Sequence, residues 1–296
     1  MNFAYSHWII NPSTESIEFL KNQGVKNIET GPDFLLGYDE KEIEKIASDF
    51  HKAGIQFYSI HAPFGGECDL SFLDNVRRTK AVSILKEFIV RAPIAKIKCL
   101  IIHPGDFLGN DSETKRLEKF QFSLETLLPI AEKNNLLLAV ENMPPTSAGS
   151  SVSSIVSIVE KFNSPSMGIC LDTGHLNITD EDTIGAFNRA KEKIIAFHFH
   201  DNDGERDIHL QPPYGTINWS ELAAEIMKCN YDFPALVEAQ PWDDASPKQL
   251  LREVEAIFRG EFLAVEHNGQ KANLVCDKCR HYLFSEEGNV FCGCGK

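Results

Sequence analysis

Three features that would assign this chain to a familiar class are missing from its sequence. Residues 1–5 carry no basic segment followed by an apolar run, so no signal peptide is evident. No stretch approaches the roughly 18 apolar residues that a membrane span needs. Basic residues are scarce, with 29 Lys and Arg against 43 Asp and Glu and a formal net charge of −14. We therefore expect a soluble cytoplasmic protein without membrane contact, for which nucleic acid is not the default partner.

A glycine-rich phosphate-binding turn is also missing after the first predicted strand, which disfavours a doubly wound open sheet. The 296 residues instead contain eight short apolar runs, each followed by a longer amphipathic segment. Strands joined by crossover helices run parallel, so the pattern predicts an α/β fold, a closed (β/α)8 TIM barrel over residues 1–262. A helix at 112–134 is expected to be interrupted near Pro129. The predicted strands are 5–9, 25–29, 55–61, 99–103, 136–141, 167–172, 194–200 and 235–238.

Six successive strands, the third to the eighth, end in a residue that can bind a metal or transfer a proton. Parallel strands of a barrel end on one rim, where barrel active sites lie. Converging carboxylates repel one another, and a divalent cation is the usual compensation. Each residue taken alone has a simpler interpretation, as a hydrogen-bonded histidine, a helix N-cap or a solvated acid. The set consists of His61, His103, Glu141, Asp172, His200 and Glu238.

The segment 197–209 carries the densest ligand chemistry of the chain. Phe197 and Phe199 alternate with His198 and His200, so one face of the strand is apolar and the other carries imidazoles. His198 should point into the barrel one layer deeper than His200. The strand is followed by a polar loop with three Asp, one Glu, one Arg and His209. Such oxygen and imidazole ligands suit Mn²⁺, Mg²⁺, Zn²⁺ or Co²⁺, and they do not choose among these ions.

Residues 1–262 resemble the xylose-isomerase-like barrel superfamily, in both its sugar phosphate isomerase/epimerase branch and its endonuclease IV branch. The resemblance rests on segments at the strand ends. These are Ser59-Ile60-His61-Ala62-Pro63-Phe64, Ile102-His103-Pro104-Gly105, Val140-Glu141-Asn142, Gly168-Ile169-Cys170-Leu171-Asp172-Thr173-Gly174-His175, and the segment 197–209 extended through Gly215-Thr216-Ile217-Asn218-Trp219.

The epimerase branch implies a metal-dependent isomerase or epimerase acting on a sugar, sugar acid or polyol through an enediolate; a dehydratase is a related expectation. One divalent ion would be held by Glu141, Asp172, His200 and Glu238. The two glutamates would also serve as the catalytic acid and base. The expected substrate contacts are His175, Arg206, His61, His103 and Glu29, although for Glu29 a salt bridge or an N-cap is an equal alternative.

The endonuclease IV branch implies a different activity, a trinuclear zinc phosphoesterase acting on abasic DNA. Three observations oppose this alternative: the acidic composition, the absence of an Arg- and aromatic-rich loop at 29–34, and the sugar-enzyme character of Gly174 and of the run 201–204. A third alternative is a non-catalytic sugar-binding module. The nine ligands implied by the endonuclease branch are His61, His103, Glu141, Asp172, His175, His200, Asp207, His209 and Glu238.

Residues 263–296 depart from the barrel pattern and contain four of the eight cysteines. Two pairs with tight spacing predict a small ribbon around a structural zinc, because Gly293 and Gly295 permit the turn that brings two thiolates to one ion. A disordered tail and a pair of disulfides are the alternatives. Contact within a homo-oligomer, partner binding and capping of the barrel all remain open as its role. The predicted zinc ligands are Cys276, Cys279, Cys292 and Cys294.

Overall fold

The structure is a computed structural model that describes residues 1–7, 12–179, 181–240 and 246–261, together with the backbone of four short strands nearer the carboxyl terminus. Eight parallel strands close into a barrel in sequence order, with β1 pairing to β8 as well as to β2. The predicted (β/α)8 barrel is therefore confirmed. The strands are β1 Phe3–Ser6, β2 Asn27–Thr30, β3 Gln56–His61, β4 Cys99–Ile102, β5 Leu137–Glu141, β6 Met167–Asp172, β7 Ile194–Phe199 and β8 Ala235–Val237.

Helices connect the strands, and most of them begin at a residue whose side chain accepts a backbone hydrogen bond. Ser13 caps the first long helix, and Asp39 forms a reciprocal capping box with Glu42. The helix that contains Pro129 runs on without a break, so the predicted interruption is wrong. The helices are α1 Thr14–Asn22, α2 Asp33–Leu36, α3 Glu40–Lys52, α4 Asn75–Arg91, α5 Glu113–Lys133, α6 Val152–Phe162, α7 Thr173–Asn177, α8 Thr183–Ala190, α9 Trp219–Met227 and α10 Pro247–Phe258. Among the described residues, no helix is both long and apolar enough to cross a membrane.

The apolar interior is divided by the barrel wall. A large cluster fills the space between strands and helices, and a small one, which includes Ala139, Cys170 and Ala196, fills the inside of the barrel. Each of these three residues lies two positions before a polar residue, Glu141, Asp172 or His198. Because side chains alternate along a strand, the polar residues point inward one layer above the small apolar ones.

The loop after β7 is anchored by Asp201 and Trp219. Trp219 Nε1 donates a hydrogen bond of 2.8 Å to Asp201 Oδ2, and both residues are buried. The indole packs against the rings of Phe199 and Phe258. This buried contact fixes both ends of the segment that carries Asp207 and other polar side chains at the barrel rim.

A buried ion pair links the loops after β3 and β4 to the start of α5. The Arg116 guanidinium pairs with Asp69, and its Nε donates to Ser71 Oγ at 2.8 Å. Its Nη1 reaches Asp111 at 2.9 Å, while the backbone N–H of Asp106 approaches Asp69 Oδ2 at 3.4 Å. The pair therefore ties together the two loops that follow the histidine-bearing ends of β3 and β4.

Arg116→Met is expected to lower the free energy of unfolding by about 3–5 kcal/mol, because it leaves the buried Asp69 carboxylate without its cation. Urea unfolding measures the change. The double variant Asp69→Asn/Arg116→Met should recover part of the loss, since it leaves no buried charge. Lys45→Met, which breaks an exposed pair with Asp49, should change stability far less, because solvent screens that pair. Equal effects of Arg116→Met and Lys45→Met would contradict the buried-pair interpretation.

Four short strands follow the barrel: β9 Ala264–His267, β10 Gln270–Asn273, β11 Leu283–Glu286 and β12 Asn289–Cys292. They form two antiparallel pairs, β9 with β10 and β11 with β12. Cys276, Cys279 and Cys294 lie outside the described residues, and Cys292 is described only by its backbone. The zinc ribbon and the domain boundary at 262/263 therefore stay predictions.

Candidate metal centre

The carboxyl ends of the strands bring together the nine residues that the sequence singles out, and add His198. The ligating atoms form three groups, within each of which all atoms lie within 4.8 Å of one another. Glu141 belongs to two groups and joins them. The groups are His61–His103–Glu141, Glu141–Asp172–His198–Glu238 and His175–His200–Asp207–His209.

In the first group, two imidazoles from neighbouring strands meet one carboxylate oxygen. Glu141 Oε2 lies 3.2 Å from His103 Nε2 and 3.5 Å from His61 Nε2. The Nδ1 atom of His61 lies 2.7 Å from the backbone oxygen of Ala62, which leaves Nε2 directed at Glu141. The ring of Phe64, with the residue 52% exposed, lies 5.0 Å from both imidazole rings and forms an apolar edge of the mouth.

The second group contains both predicted acid/base residues. His198 Nδ1 lies 2.8 Å from Glu238 Oε2, 3.1 Å from Glu141 Oε1 and 3.9 Å from Asp172 Oδ2. The side chains of Glu141 and Asp172 are almost completely buried, whereas that of Glu238 is 21% exposed. Of the two predicted acid/base glutamates, Glu238 is thus the one more exposed to solvent.

The third group lies between the start of α7 and the loop after β7. His175 Nε2 lies 3.2 Å from Asp207 Oδ2, and His209 Nε2 lies 3.4 Å from Asp207 Oδ1. His200 Nε2 lies 2.9 Å from Asp172 Oδ1, and its ring stacks on that of His209 at 3.9 Å between centroids. His200 therefore stands between the second and third groups.

Two residues predicted to contact substrate, Arg206 and Glu29, are not members of the three groups. Both Nε and Nη2 of Arg206 bond to Asp203, and the Arg206 side chain is 71% exposed, so it does not reach the three groups. Glu29 is 2% exposed and accepts a 2.6 Å hydrogen bond from Ser59 Oγ inside the barrel. Phe64 was not expected to have a role at the site, although it stands three positions after His61 in the segment 59–64.

The imidazoles and carboxylates shift one another's pKa values. Burial opposes a charge on His175, but Asp172, Asp207 and Glu141 outweigh it and raise the pKa of His175 to about 10. Burial likewise opposes ionisation of Glu238, yet the charge and hydrogen bond of His198 hold its pKa at about 2. For Glu141, burial is outweighed by His198, His103 and His61, and its pKa lies well below the ordinary range. In the metal-free protein, imidazolium groups thus balance the converging acids.

Several buried atoms of these groups lack a well-aligned hydrogen bond. Within the described residues they include Glu141 Oε2, His103 Nδ1 and His200 Nδ1, although Glu141 Oε2 lies within ion-pair distance of two imidazoles. An unsatisfied carboxylate oxygen or imidazole nitrogen is costly inside a protein, and a metal ion satisfies both. The donor set of imidazole nitrogens and carboxylate oxygens is that of Zn²⁺, Mn²⁺ or Co²⁺ sites. The side chains therefore fit a bound divalent metal.

Gly174 is required for the close approach of the His200 ring. A β-carbon at this position would lie 1.9 Å from His200 Cε1 and 2.2 Å from its Nδ1. We expect Gly174→Ala to lower the free energy of unfolding by about 1–3 kcal/mol, as overpacking does.

Urea unfolding of metal-free protein checks this as a double-mutant cycle with His200→Ala. Without the imidazole, Ala at 174 should be neutral or stabilising, since alanine favours the helical state by about 1 kcal/mol over glycine. A penalty that is unchanged in the His200→Ala background would show that the ring is not the cause.

Comparison with known proteins agrees with this geometry. The family model described as the xylose isomerase-like TIM barrel matches residues 17–257. The chain belongs to this family. It is 24% identical to the uncharacterized protein y4fM of Sinorhizobium fredii over 255 residues, which cover 78% of this chain and 82% of that protein. It is also 27% identical to a probable endonuclease 4 of Mycoplasmopsis pulmonis over 182 residues, 56% of this chain and 65% of that protein.

Solved structures of other proteins share the barrel fold. A D-tagatose 3-epimerase-like protein superposes with a TM-score of 0.76 and 24% identity, covering 88% of this chain and 99% of that one. The IOLI protein with a bound zinc atom superposes with a TM-score of 0.72 and 16% identity, covering 87% of this chain and 96% of that one. At these identities the likeness shows the fold of the chain.

Proposed function

We propose that this chain is a divalent-metal-dependent isomerase or epimerase that acts on a sugar, sugar acid or polyol by moving a proton at the carbon next to a carbonyl. The observation that carries the proposal is the pair Glu141 and Glu238. The two carboxylates extend from the ends of β5 and β8, which are three strands apart in the barrel, and converge beside Asp172 in one group. The D-tagatose 3-epimerase-like neighbour supports a sugar-type substrate by analogy.

The residues that would hold the ion are Glu141, Asp172 and Glu238 of the second group, with His200 from the adjoining third group. A divalent ion bound there would polarise a substrate carbonyl and make the neighbouring C–H more acidic. His200 is the predicted imidazole ligand, and its Nε2, 2.9 Å from Asp172 Oδ1, is the nitrogen placed for that role.

Glu238 is the group we assign as the base, because its side chain is the more exposed of the two glutamates and is ionised at neutral pH. In this role a Glu238 oxygen receives the substrate proton. Glu141, held by His61 and His103 from the other side, passes the proton of the neighbouring His103 imidazolium to the opposite face in an epimerisation. Glu238 then loses its proton to solvent, and His103 regains one. In an isomerisation the proton returns from Glu238 to the neighbouring carbon. His209, whose side chain is 32% exposed, and His103 would bind substrate hydroxyls.

A second candidate, a trinuclear phosphoesterase, is favoured by one specific observation. All nine side chains expected for such a centre lie in the three adjoining groups, and Glu141 connects two of them. Three neighbouring ions could activate water and bind a phosphate. The net charge of −14 opposes a polyanionic substrate such as DNA.

Metal content and isotope exchange test these two functions together. About one barrel metal per chain would favour the first, and three the second, after the contribution of the tail is removed with Cys276→Ser/Cys279→Ser. Deuterium wash-in from D₂O is measured across a panel of ketoses and aldoses with Mn²⁺, before and after chelation. Metal-dependent exchange supports the isomerase or epimerase. Cleavage of abasic duplex DNA without exchange on any sugar would overturn it, and sugar binding with neither reaction would indicate a binding module.

A further inference from the structure

His198 occupies a position inside the barrel that the mechanism above does not use. It points inward from β7, in register with Asp172 on β6 and Leu236 on β8, and it is completely buried. Its Nδ1 atom lies between the two glutamates assigned to proton transfer, 2.8 Å from Glu238 Oε2 and 3.1 Å from Glu141 Oε1. Among the imidazoles whose side chains the structure describes, only that of His198 is recorded within 4 Å of both carboxylates.

The other ring nitrogen of His198 faces across the barrel to β2. His198 Nε2 lies 3.3 Å from both carboxylate oxygens of Glu29, and Glu29 Oε2 accepts a hydrogen bond of 2.6 Å from Ser59 Oγ. Glu29 and Ser59 are each 2% exposed, so no substrate at the mouth competes for these contacts. A continuous chain of polar contacts thus runs from Ser59 through Glu29 and His198 to the two glutamates.

We propose that His198 is a positioning residue, whose Nδ1–H holds the Glu141 and Glu238 carboxylates in the geometry that binds metal, while Glu29 and Ser59 hold the ring in place from below. This role rests on the proposed metal dependence of the site. A carboxylate that is free to rotate loses entropy on binding an ion, and one already held by a hydrogen bond loses less. Groups that hold metal ligands in this way typically change metal affinity by about 10- to 100-fold when they are removed.

Two amide variants separate the two sides of the ring. The side-chain N–H of asparagine comes close to the position of His198 Nδ1, and that of glutamine comes close to Nε2. His198→Asn therefore keeps a donor toward Glu141 and Glu238, whereas His198→Gln keeps one only toward Glu29. Mn²⁺ affinity of the metal-free full-length chain, measured by calorimetry, should fall about 10- to 100-fold in His198→Gln and no more than about threefold in His198→Asn.

Three controls keep this test decisive. His51→Asn changes a histidine in α3, outside the three groups, and should leave Mn²⁺ affinity unchanged. The visible spectrum of bound Co²⁺ should keep its shape in His198→Asn, because a positioning residue is not a ligand; a changed coordination spectrum would overturn the proposal. If circular dichroism shows that both His198 variants fail to fold, Glu29→Gln and Ser59→Ala test the positioning role instead. Unchanged Mn²⁺ affinity in both of these variants would overturn the proposal.

Equal affinity losses in His198→Asn and His198→Gln, or no loss in either, would likewise reject the positioning role. These readouts do not depend on the reaction. If wild-type protein shows no deuterium wash-in but Mn²⁺ affinity follows the expected order, the proposed function fails and the positioning role of His198 stands.

Discussion

Glu238→Gln is expected to reduce metal-dependent deuterium exchange by about 10²- to 10⁴-fold, the usual contribution of a general base. The change removes the proton acceptor and keeps the size of the side chain. Glu141→Gln should have an effect of the same order on turnover, because Glu141 is the proposed partner on the opposite side of the substrate. Both variants should keep the fold, which circular dichroism and urea unfolding would show.

Metal content must be measured in the same samples, since both glutamates are also proposed metal ligands. A Glu238→Gln protein that retains metal but not exchange would support the acid/base role directly. Glu205→Gln provides the matched control, because Glu205 is exposed in the loop after β7 and belongs to none of the three groups. Deuterium exchange at the wild-type rate in either glutamate variant would contradict the assignment of Glu141 and Glu238 as the acid/base pair.

The chelated protein is expected to lose stability as the pH rises from about 6.5 to 9, because imidazoles whose pKa values are raised in the folded state then deprotonate. Burial opposes a charge on His103, but the neighbouring Asp106 and Glu141 outweigh burial and raise the pKa of His103 to about 8. The pKa of His209 is raised to about 9 in the same way, by Asp207, Glu238 and Asp172. A histidine whose pKa is higher in the folded than in the unfolded state stabilises the fold fully below its unfolded-state pKa. This stabilisation is lost as the pH rises through the folded-state pKa. For His103 alone the loss is on the order of 2 kcal/mol.

Urea unfolding of EDTA-treated protein at pH 6, 7.5 and 9 would measure this dependence. Metal affinity should change in the opposite direction, because imidazole ligands bind metal only when neutral, so Mn²⁺ binds more tightly as the pH rises. His103→Asn should flatten the stability profile of the chelated protein between about pH 6.5 and 8. Constant or rising stability of the chelated wild type over this range would contradict the ion-pair description of the site.

Many of the residues at the barrel rim could be predicted from the local sequence. Apolar runs of strand length fixed the strand ends, and parallel connection required those ends to meet on one side, so His61 and Glu238 could be assigned to one mouth despite their separation in the chain. The two-residue spacing of Ala139 and Glu141 correctly predicted which face the carboxylate takes. By the same rule His198 was expected one layer below His200, and the structure has it there.

The contacts made by these side chains could not be predicted in this way. Arg206 has a position six residues after His200 that suggested a substrate contact, but Asp203 lies nearer and binds the guanidinium at the surface. Glu29 ends the predicted strand 25–29, which suggested a substrate-binding acid, yet its side chain turns inward to Ser59 and His198. A rotamer choice of this kind depends on partners from other strands, which the local sequence does not specify.

The sequence by itself determined the barrel and the inventory of acids and imidazoles at its mouth, because strand and helix periodicities and parallel connection are local properties. Only the tertiary structure decided how those side chains divide into three groups and that His198 touches both Glu141 and Glu238. The physical reason is that barrel closure and strand register bring together residues such as Glu29 and His198, 169 positions apart in the chain.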